Sequence, residues 1–408
     1  MDETFQIANR YELKELELNS LLEITQAINE NVAEDSLYKI YNFTLRANLS
    51  LSKLLLLVKD GGNWSTKVQF GTEREYLAYQ LDASLSEKSV ISHREALVNT
   101  HFNEFEVGIP VFHKGNLLAM VFLGGIAVNG HTKSLENRLN FIQALTNITM
   151  VAIENKKMAR ERLERGVYEK EMEIAKKVQQ LLFPKCLPVS KNFKISAHYS
   201  PHSTVGGDYY DWVEIDENRK MICIADVSGK GVPAALLMSN FQASLRTLLR
   251  KTTDLQELIN DLNYQVFQSA NGENFITFFI AILDSRDKKV AYVNAGHNPP
   301  FLIQDNAIID LNIGTLVLGA FEKLPFLEIG ELPLTSSQMF FLYTDGLTEA
   351  FNASEEEFGP ERLKLLLQDL KIDDPEIVVK NVLVNVADFV GDRPYSDDIT
   401  LLACNFLV

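Results

Sequence analysis

The chain has little cysteine. Its 408 residues contain three, Cys186, Cys223 and Cys404. An odd, scattered set has neither the spacing of a zinc site nor the look of a disulfide framework. Positive charge is also short. Thirty-nine Lys and Arg face 55 Asp and Glu, a formal net charge of -16. That balance argues against nucleic acid, which needs a basic stripe, and against anionic membrane, which attracts clustered Lys and Arg. No apolar run approaches the ~20 residues that cross a bilayer. The run Leu54 to Val58 is short and reads as a strand. The opening residues, Met1-Asp-Glu-Thr-Phe5, lack the basic-then-apolar order of a secretory signal. Repeats and low-complexity stretches are absent too. These absences lead to the expectation of an acidic, soluble, cytoplasmic protein. The hydrophobic share of 46% supports packed cores, and the length suggests two or three domains.

What is present divides into two halves. In the first, apolar residues at helical spacing (Leu18, Leu21, Leu22, Ile28) predict a helix over 10–32. Leu37, Ile40, Tyr41 and Leu45 predict a second over about 35–48. Strands follow at Ser52 to Val58 and Trp64 to Phe70, joined through Asp60-Gly-Gly-Asn63. A second hairpin pairs Glu106 to Phe112 with Leu117 to Gly124 around His113-Lys-Gly-Asn116. Phe141, Leu145, Ile148 and Val151 then line a helix from Leu135 to about Lys157. Helices backing an antiparallel sheet make an α+β reading.

Residues 156–183 read as a helical linker. Met158, Leu163, Val167, Met172, Ala175, Val178 and Leu182 form a thin apolar stripe with heptad-like steps. So long a helix with so thin a stripe implies a partner helix, hence a homodimer through a coiled coil; a single solvated helix is the alternative. Pro184 ends it.

The second half carries acidic residues at strand ends. The apolar strand Ile222 to Ala225 breaks at Asp226 into Ser228-Gly-Lys-Gly231, and Pro233 opens a helix. Val205-Gly-Gly-Asp-Tyr-Tyr-Asp211 precedes it. Tyr343-Thr-Asp-Gly-Leu-Thr-Glu349 follows the run Met339 to Leu342, and Ser396-Asp-Asp-Ile-Thr400 leads into the last strand. Four acidic strand ends brought together would repel one another unless cations sat between them. Hard oxygen ligands without Cys or paired His favour Mg²⁺ or Mn²⁺ over zinc. Ser228-Gly-Lys-Gly231 is not a P-loop, lacking the preceding Gly spacing and the following Ser or Thr.

Together with Asn294-Ala-Gly-His-Asn-Pro-Pro300, these phrases occur in the order found in PPM/PP2C-type serine/threonine phosphatases of the SpoIIE/RsbU branch. Residues 184–408 resemble that domain, and the helix from Glu173 resembles the one that precedes it. The resemblance implies an α/β/β/α sandwich and two divalent cations, Mn²⁺ or Mg²⁺, which activate water to attack a phosphoserine or phosphothreonine. It implies that Asp226 bridges both metals with the Val227 carbonyl as a further ligand. Asp208 would bind one metal, and Asp345 and Asp397 would complete the other. Asp397 is preferred to its neighbour Asp398, because adjacent strand residues face opposite ways. Asp211 is read as a hydrogen-bond acceptor rather than a ligand, and His297 as a turn histidine rather than a general acid. Gly207 and Gly346 would let backbone approach the carboxylates.

Residues 15–155 resemble a GAF domain through Ile109-Pro-Val111, Gly115 and the Leu-Gly-Gly strand end at 123–125. His93, His101 and His113 are read as exposed polar residues, and no residue set names a ligand. The substrate implied by analogy is a phosphorylated STAS-domain anti-anti-sigma protein. A catalytically inactive, dimeric GAF adaptor is the rival reading, and a hydrolase of small phosphoesters is a third. The helix from Pro233 begins a few residues from Asp226, so a signal carried by the linker is expected to assemble or spoil the site there.

Overall fold

A computed structural model of the chain describes residues 2–49, 51–60, 63–76, 78–79, 92–93, 97, 100–125, 132–190, 193–304, 307–335, 338–370 and 374–406. It contains two compact units, Met1–Gly166 and Val167–Val408.

The first unit opens with α1 (Asp2–Asn29) and α2 (Glu34–Leu49). Next come β1 (Lys53–Asp60), β2 (Asn63–Phe70), β3 (Ala78–Tyr79), β4 (Ser92–His93), β5 (Val107–His113) and β6 (Asn116–Gly124). They form one sheet in the order β3-β2-β1-β6-β5-β4, antiparallel throughout. Both expected hairpins form, β1 with β2 and β5 with β6. The turn residues Gly61 and Gly62 lie outside the described residues.

Alternation along the strands separates two cores. Leu54, Leu56, Ile109, Val111, Val121 and Leu123 pack with Leu37, Tyr41 and Leu45 of α2 and with Ile142 and Leu145 of a third helix. Leu55, Leu57, Met120 and Phe122 face the other way, under Tyr76, Leu97, Phe102 and Phe105. Phe102 stacks on Phe122 with ring centroids 4.1 Å apart. This aromatic lid, from the irregular middle of the unit, was not foreseen by the periodicity.

That third helix, α3 (Thr132–Gln180), is 49 residues long. The expected helix near 135–157 and the expected helical linker are thus one continuous element. Leu163 and Val167 on it are 69% and 52% exposed, and among the described residues none between 159 and 178 is buried.

The second unit contains two sheets. The first takes β8 (Tyr209–Glu214), β9 (Arg219–Val227), β10 (Ile276–Asp284), β11 (Lys289–Ala295) and β14 (Gly314–Thr315), with β15 (Gly330–Pro333) also on β11. The second runs β13 (Ala307–Asp310), β12 (Phe301–Gln304), β16 (Gln338–Tyr343), β17 (Ile399–Phe406) and β7 (Phe193–Ser200). Ile222, Ile224, Phe279 and Ala281 meet Phe340, Leu342, Leu402 and Cys404 between the sheets. On β9 the alternate residues, Met221, Cys223, Ala225 and Val227, face outward against α4 (Val232–Leu249) and α5 (Leu255–Ala270). After the short α6 (Asp345–Thr348), α7 (Pro360–Asp369) and α8 (Pro375–Val390) cover the second sheet through Leu363, Leu367, Val378 and Val382. The layers are helix, sheet, sheet, helix, as the resemblance implied. Strands buried on both faces explain the near-continuous apolar runs.

Replacing Phe279 by Ala would empty space between the sheets and cost about 3–5 kcal/mol. Leu236→Ala, at an exposed position of α4, is expected to change stability by about 0.5 kcal/mol or less. Urea unfolding followed by Trp212 fluorescence in a Trp64→Phe background, which leaves one tryptophan, reads the contrast.

Candidate active site

Asp226 is the next-to-last residue of β9, and it pairs with Thr277 of β10. Asp208 precedes β8, Asp345 opens α6, and Asp397 and Asp398 precede β17. The two sheets therefore deliver their acidic ends to one place. Asp208 is buried. Its Oδ2 accepts the Thr344 hydroxyl at 2.8 Å and also the Thr400 hydroxyl. Burial holds its carboxyl well above the ordinary range, and the charge of Asp226 adds to the effect. Asp226 is pushed up to about 7, by burial first and then by Asp345 and Asp397. Asp345 is raised by burial and by Asp397. Glu349 rises through burial and the nearness of Asp345.

Asp397 and Asp398 have separate tasks. Asp398 accepts backbone N–H groups from His202 at 2.7 Å and Gly207 at 2.8 Å, so its carboxylate ties the 202–207 loop to β17. Asp397 instead turns to Lys230, whose Nζ lies 2.7 Å from its Oδ2. Its other oxygen accepts the Asp398 N–H at 2.9 Å. A Cβ on Gly207 would meet the Val227 carbonyl oxygen at 2.9 Å, and one on Gly346 would lie 2.0 Å from the Asp398 carbonyl oxygen. Both glycines sit where backbone approaches backbone too closely for a side chain.

Among the described residues, no three His, Cys, Asp or Glu side chains already stand as a ligand cage. The donor set nonetheless suits a hard divalent cation. It offers carboxylate oxygens and a nearby carbonyl, and its like charges raise one another.

The remaining motif residues are structural. Asp211 is buried, and Arg246 of α4 grips it with two contacts of 2.8 Å. Asp211 also accepts the Tyr209 hydroxyl. His297 accepts or donates at both ring nitrogens, to the Thr277 hydroxyl at 2.8 Å and the Tyr343 carbonyl at 3.1 Å. The carbonyl only accepts, so Nε2 carries the proton and Nδ1 receives the Thr277 hydroxyl. Burial depresses its pKa to about 4. In the first unit His101 is exposed and His113 half-buried; the side chain of His93 lies outside the described residues.

Comparison with known proteins gives the family. The family model of Stage II sporulation protein E (SpoIIE) matches residues 216–407. Phosphoserine phosphatase RsbU of Bacillus subtilis (strain 168) is 32% identical over 246 residues, which is 58% of this chain and 71% of the relative. The chain belongs to the SpoIIE family of PP2C-type protein serine/threonine phosphatases. Phosphoserine phosphatase RsbP of the same organism is 30% identical over 187 residues, 44% of this chain and 46% of its own length. The SiaA-PP2C domain of Pseudomonas aeruginosa shares the fold. Its TM-score is 0.53 at 20% identity, covering 60% of this chain and 98% of that domain.

Three residues in the SpoIIE unit escaped the sequence reading. Thr344 and Thr400 stand inside the quoted motifs, one and two residues from an Asp at a strand end, and that nearness is the signal. Gln179, in the last turn of α3, is buried and bonds reciprocally to the Gly206 backbone at 2.7 and 3.3 Å. A polar residue in a thin helical stripe gives no such hint.

Two outcomes follow from these partners. Arg246→Ala strands a buried carboxylate; the guanidinium is 44% exposed, so the cost is expected near about 2 kcal/mol rather than the 3–5 of a fully buried pair. Thermal unfolding of the full chain checks it. His297 stays neutral in the fold while its unfolded counterpart binds a proton below its ordinary 6.5. Its contribution is complete above pH 6.5 and is lost as pH falls towards 4. His297→Gln should therefore flatten the stability profile across that window by up to ~1.4 kcal/mol per pH unit, read from urea midpoints at stepped pH.

Proposed function

We propose that this chain hydrolyses phosphoserine or phosphothreonine on a partner protein, with two Mn²⁺ or Mg²⁺ ions held by Asp208, Asp226, Asp345, Asp397 and the Val227 carbonyl. The observation that carries the reading is the gathering of one buried carboxylate, Asp208, and the half-buried Asp226, Asp345 and Asp397 from both sheets, with the Asp226 pKa raised to about 7. Like charges driven so far towards neutrality are answered by cations.

The ions, when bound, supply electrophilic help to attack by water on phosphorus. The chain's own residues set the frame. The hydroxyls of Thr344 and Thr400 fix Asp208. Asp398 shapes the loop that carries it, leaving Asp397 for the cation side. The Asp211–Arg246 pair anchors α4 to β8. His297, neutral and bonded at both nitrogens, orders the loop after β11 and takes no proton in the reaction. No Cys-x₅-Arg signature is present, which accords with direct attack by water rather than a cysteinyl intermediate.

In this reading residues 15–155 form a GAF-like sensor, 156–183 a dimerising helical linker, and 184–408 the catalytic domain. The exposed Leu163 and Val167 support a partner helix, since apolar side chains on a long solvated helix gain by association. The bond from Gln179 to Gly206 supports control through the linker, because it joins the linker's last turn to the loop bearing Asp208. A phosphorylated STAS-domain protein is the proposed substrate, by analogy with the partners of this branch. Cytoplasmic location fits the composition; among the described residues no helix is long and apolar enough to cross a membrane.

Phosphate release from a phosphoserine protein, with Mn²⁺, Mg²⁺ or chelator, tests the proposal. Turnover is expected to require metal and to fall at least ~10²-fold in Asp226→Asn, a loss of ~2.7 kcal/mol of transition-state stabilisation. Turnover that survives chelator or the substitution would overturn it.

A further inference from the structure

Lys230 is a cation already seated in the acidic cluster. Its Nζ lies 2.7 Å from Asp397 Oδ2 and 2.8 Å from the Ser396 carbonyl oxygen. Its charge opposes the upward shifts of both Asp345 and Glu349. The residue sits between Gly229 (φ 95°) and Gly231 (φ 72°), both in left-handed conformations, so it rides on a turn distinct from β9 and α4. Its side chain is 54% exposed. The contact is thus a tethered, solvent-accessible counter-ion on a carboxylate that the proposed function assigns to metal.

We propose that Lys230 is an exchangeable counter-ion: it neutralises Asp397 when the site holds no metal, and a divalent cation displaces it from that carboxylate. The inference rests on the reading of the acidic cluster as a metal site. Two positive charges cannot share one carboxylate oxygen at close range without mutual repulsion. Metal binding therefore breaks the Lys230–Asp397 pair and returns the ammonium to solvent, at the mouth of the site. Lys230 acts here as a positioning residue, setting how tightly the cluster takes its metal.

The test uses the full chain and two readouts besides turnover. The first is acylation of lysines by a water-soluble reagent, followed by peptide mass spectrometry with and without Mn²⁺. Paired with Asp397, Lys230 should label slowly; saturating Mn²⁺ should raise its labelling several-fold while other lysines stay constant. The second is calorimetric titration of Mn²⁺. Lys230→Met should bind Mn²⁺ at least ~10-fold more tightly than the native chain. Lys251→Met is the control. It removes the same charge beyond the opposite end of α4, a helix of 18 residues and so ~27 Å, and should alter affinity less than ~2-fold because the charge is screened. Mn²⁺ binding with unchanged Lys230 labelling, or equal affinities for Lys230→Met and the native chain, would overturn the counter-ion and leave the metal site standing. Absence of Mn²⁺ binding to every variant would overturn both.

Discussion

Asp226 is driven towards neutrality by burial and by the charges of Asp345 and Asp397, and the surrounding structure is organised by that electrostatic strain. A carboxylate so placed needs cations or hydrogen bonds to remain ionised, and otherwise takes up a proton. The neighbouring acids find such partners in different ways. Asp208 is held by two threonine hydroxyls. Asp398 spends its oxygens on backbone N–H groups. Asp397 takes the ammonium of Lys230. Asp398, spent on backbone, is scaffolding; the acids left facing one another, with Asp208 fixed beside them by its threonines, define where chemistry would occur.

The fold makes the cluster possible by bringing its members in from different layers. Asp208 and Asp226 come from one sheet, while Asp345 and Asp397 come from the ends of the interior strands β16 and β17 of the other. Phe279, Phe340 and Leu402 hold the sheets face to face. A core that loosens between the sheets would separate the acids and relax their repulsion, so packing and site electrostatics are linked. The Asp211–Arg246 pair and His297 act on the same frame from outside the cluster. The pH response of His297 belongs to folding rather than to proton transfer.

Much of this was legible because each motif couples an apolar run to a glycine or serine turn. The strand at 219–227 and the helix from 232 were readable from Ile222-Cys-Ile-Ala-Asp226 and Pro233 alone. Their lateral neighbours, and so the meeting of four distant acids, came from family resemblance, since period-2 alternation does not encode sheet order. The choice between Asp397 and Asp398 was argued from strand geometry; what separates them in the structure is which backbone N–H groups each can reach. β14 and β15 went unseen because two- and four-residue strands carry no periodicity. The aromatic lid of Tyr76, Phe102 and Phe105 went unseen because it is built from irregular chain. Two helical patterns read separately run on as one helix from 132 to 180, which Gly166 does not interrupt.

The central claim is that the acids around Asp226 are a metal site. Crystals of the full chain grown with Mn²⁺, with anomalous diffraction recorded at the manganese edge, test it most directly. The account predicts two anomalous peaks within coordination distance of Asp226, with Asp208, Asp345 and Asp397 as the remaining carboxylate ligands. Manganese bound elsewhere, or an acidic cluster free of peaks at saturating Mn²⁺, would contradict it.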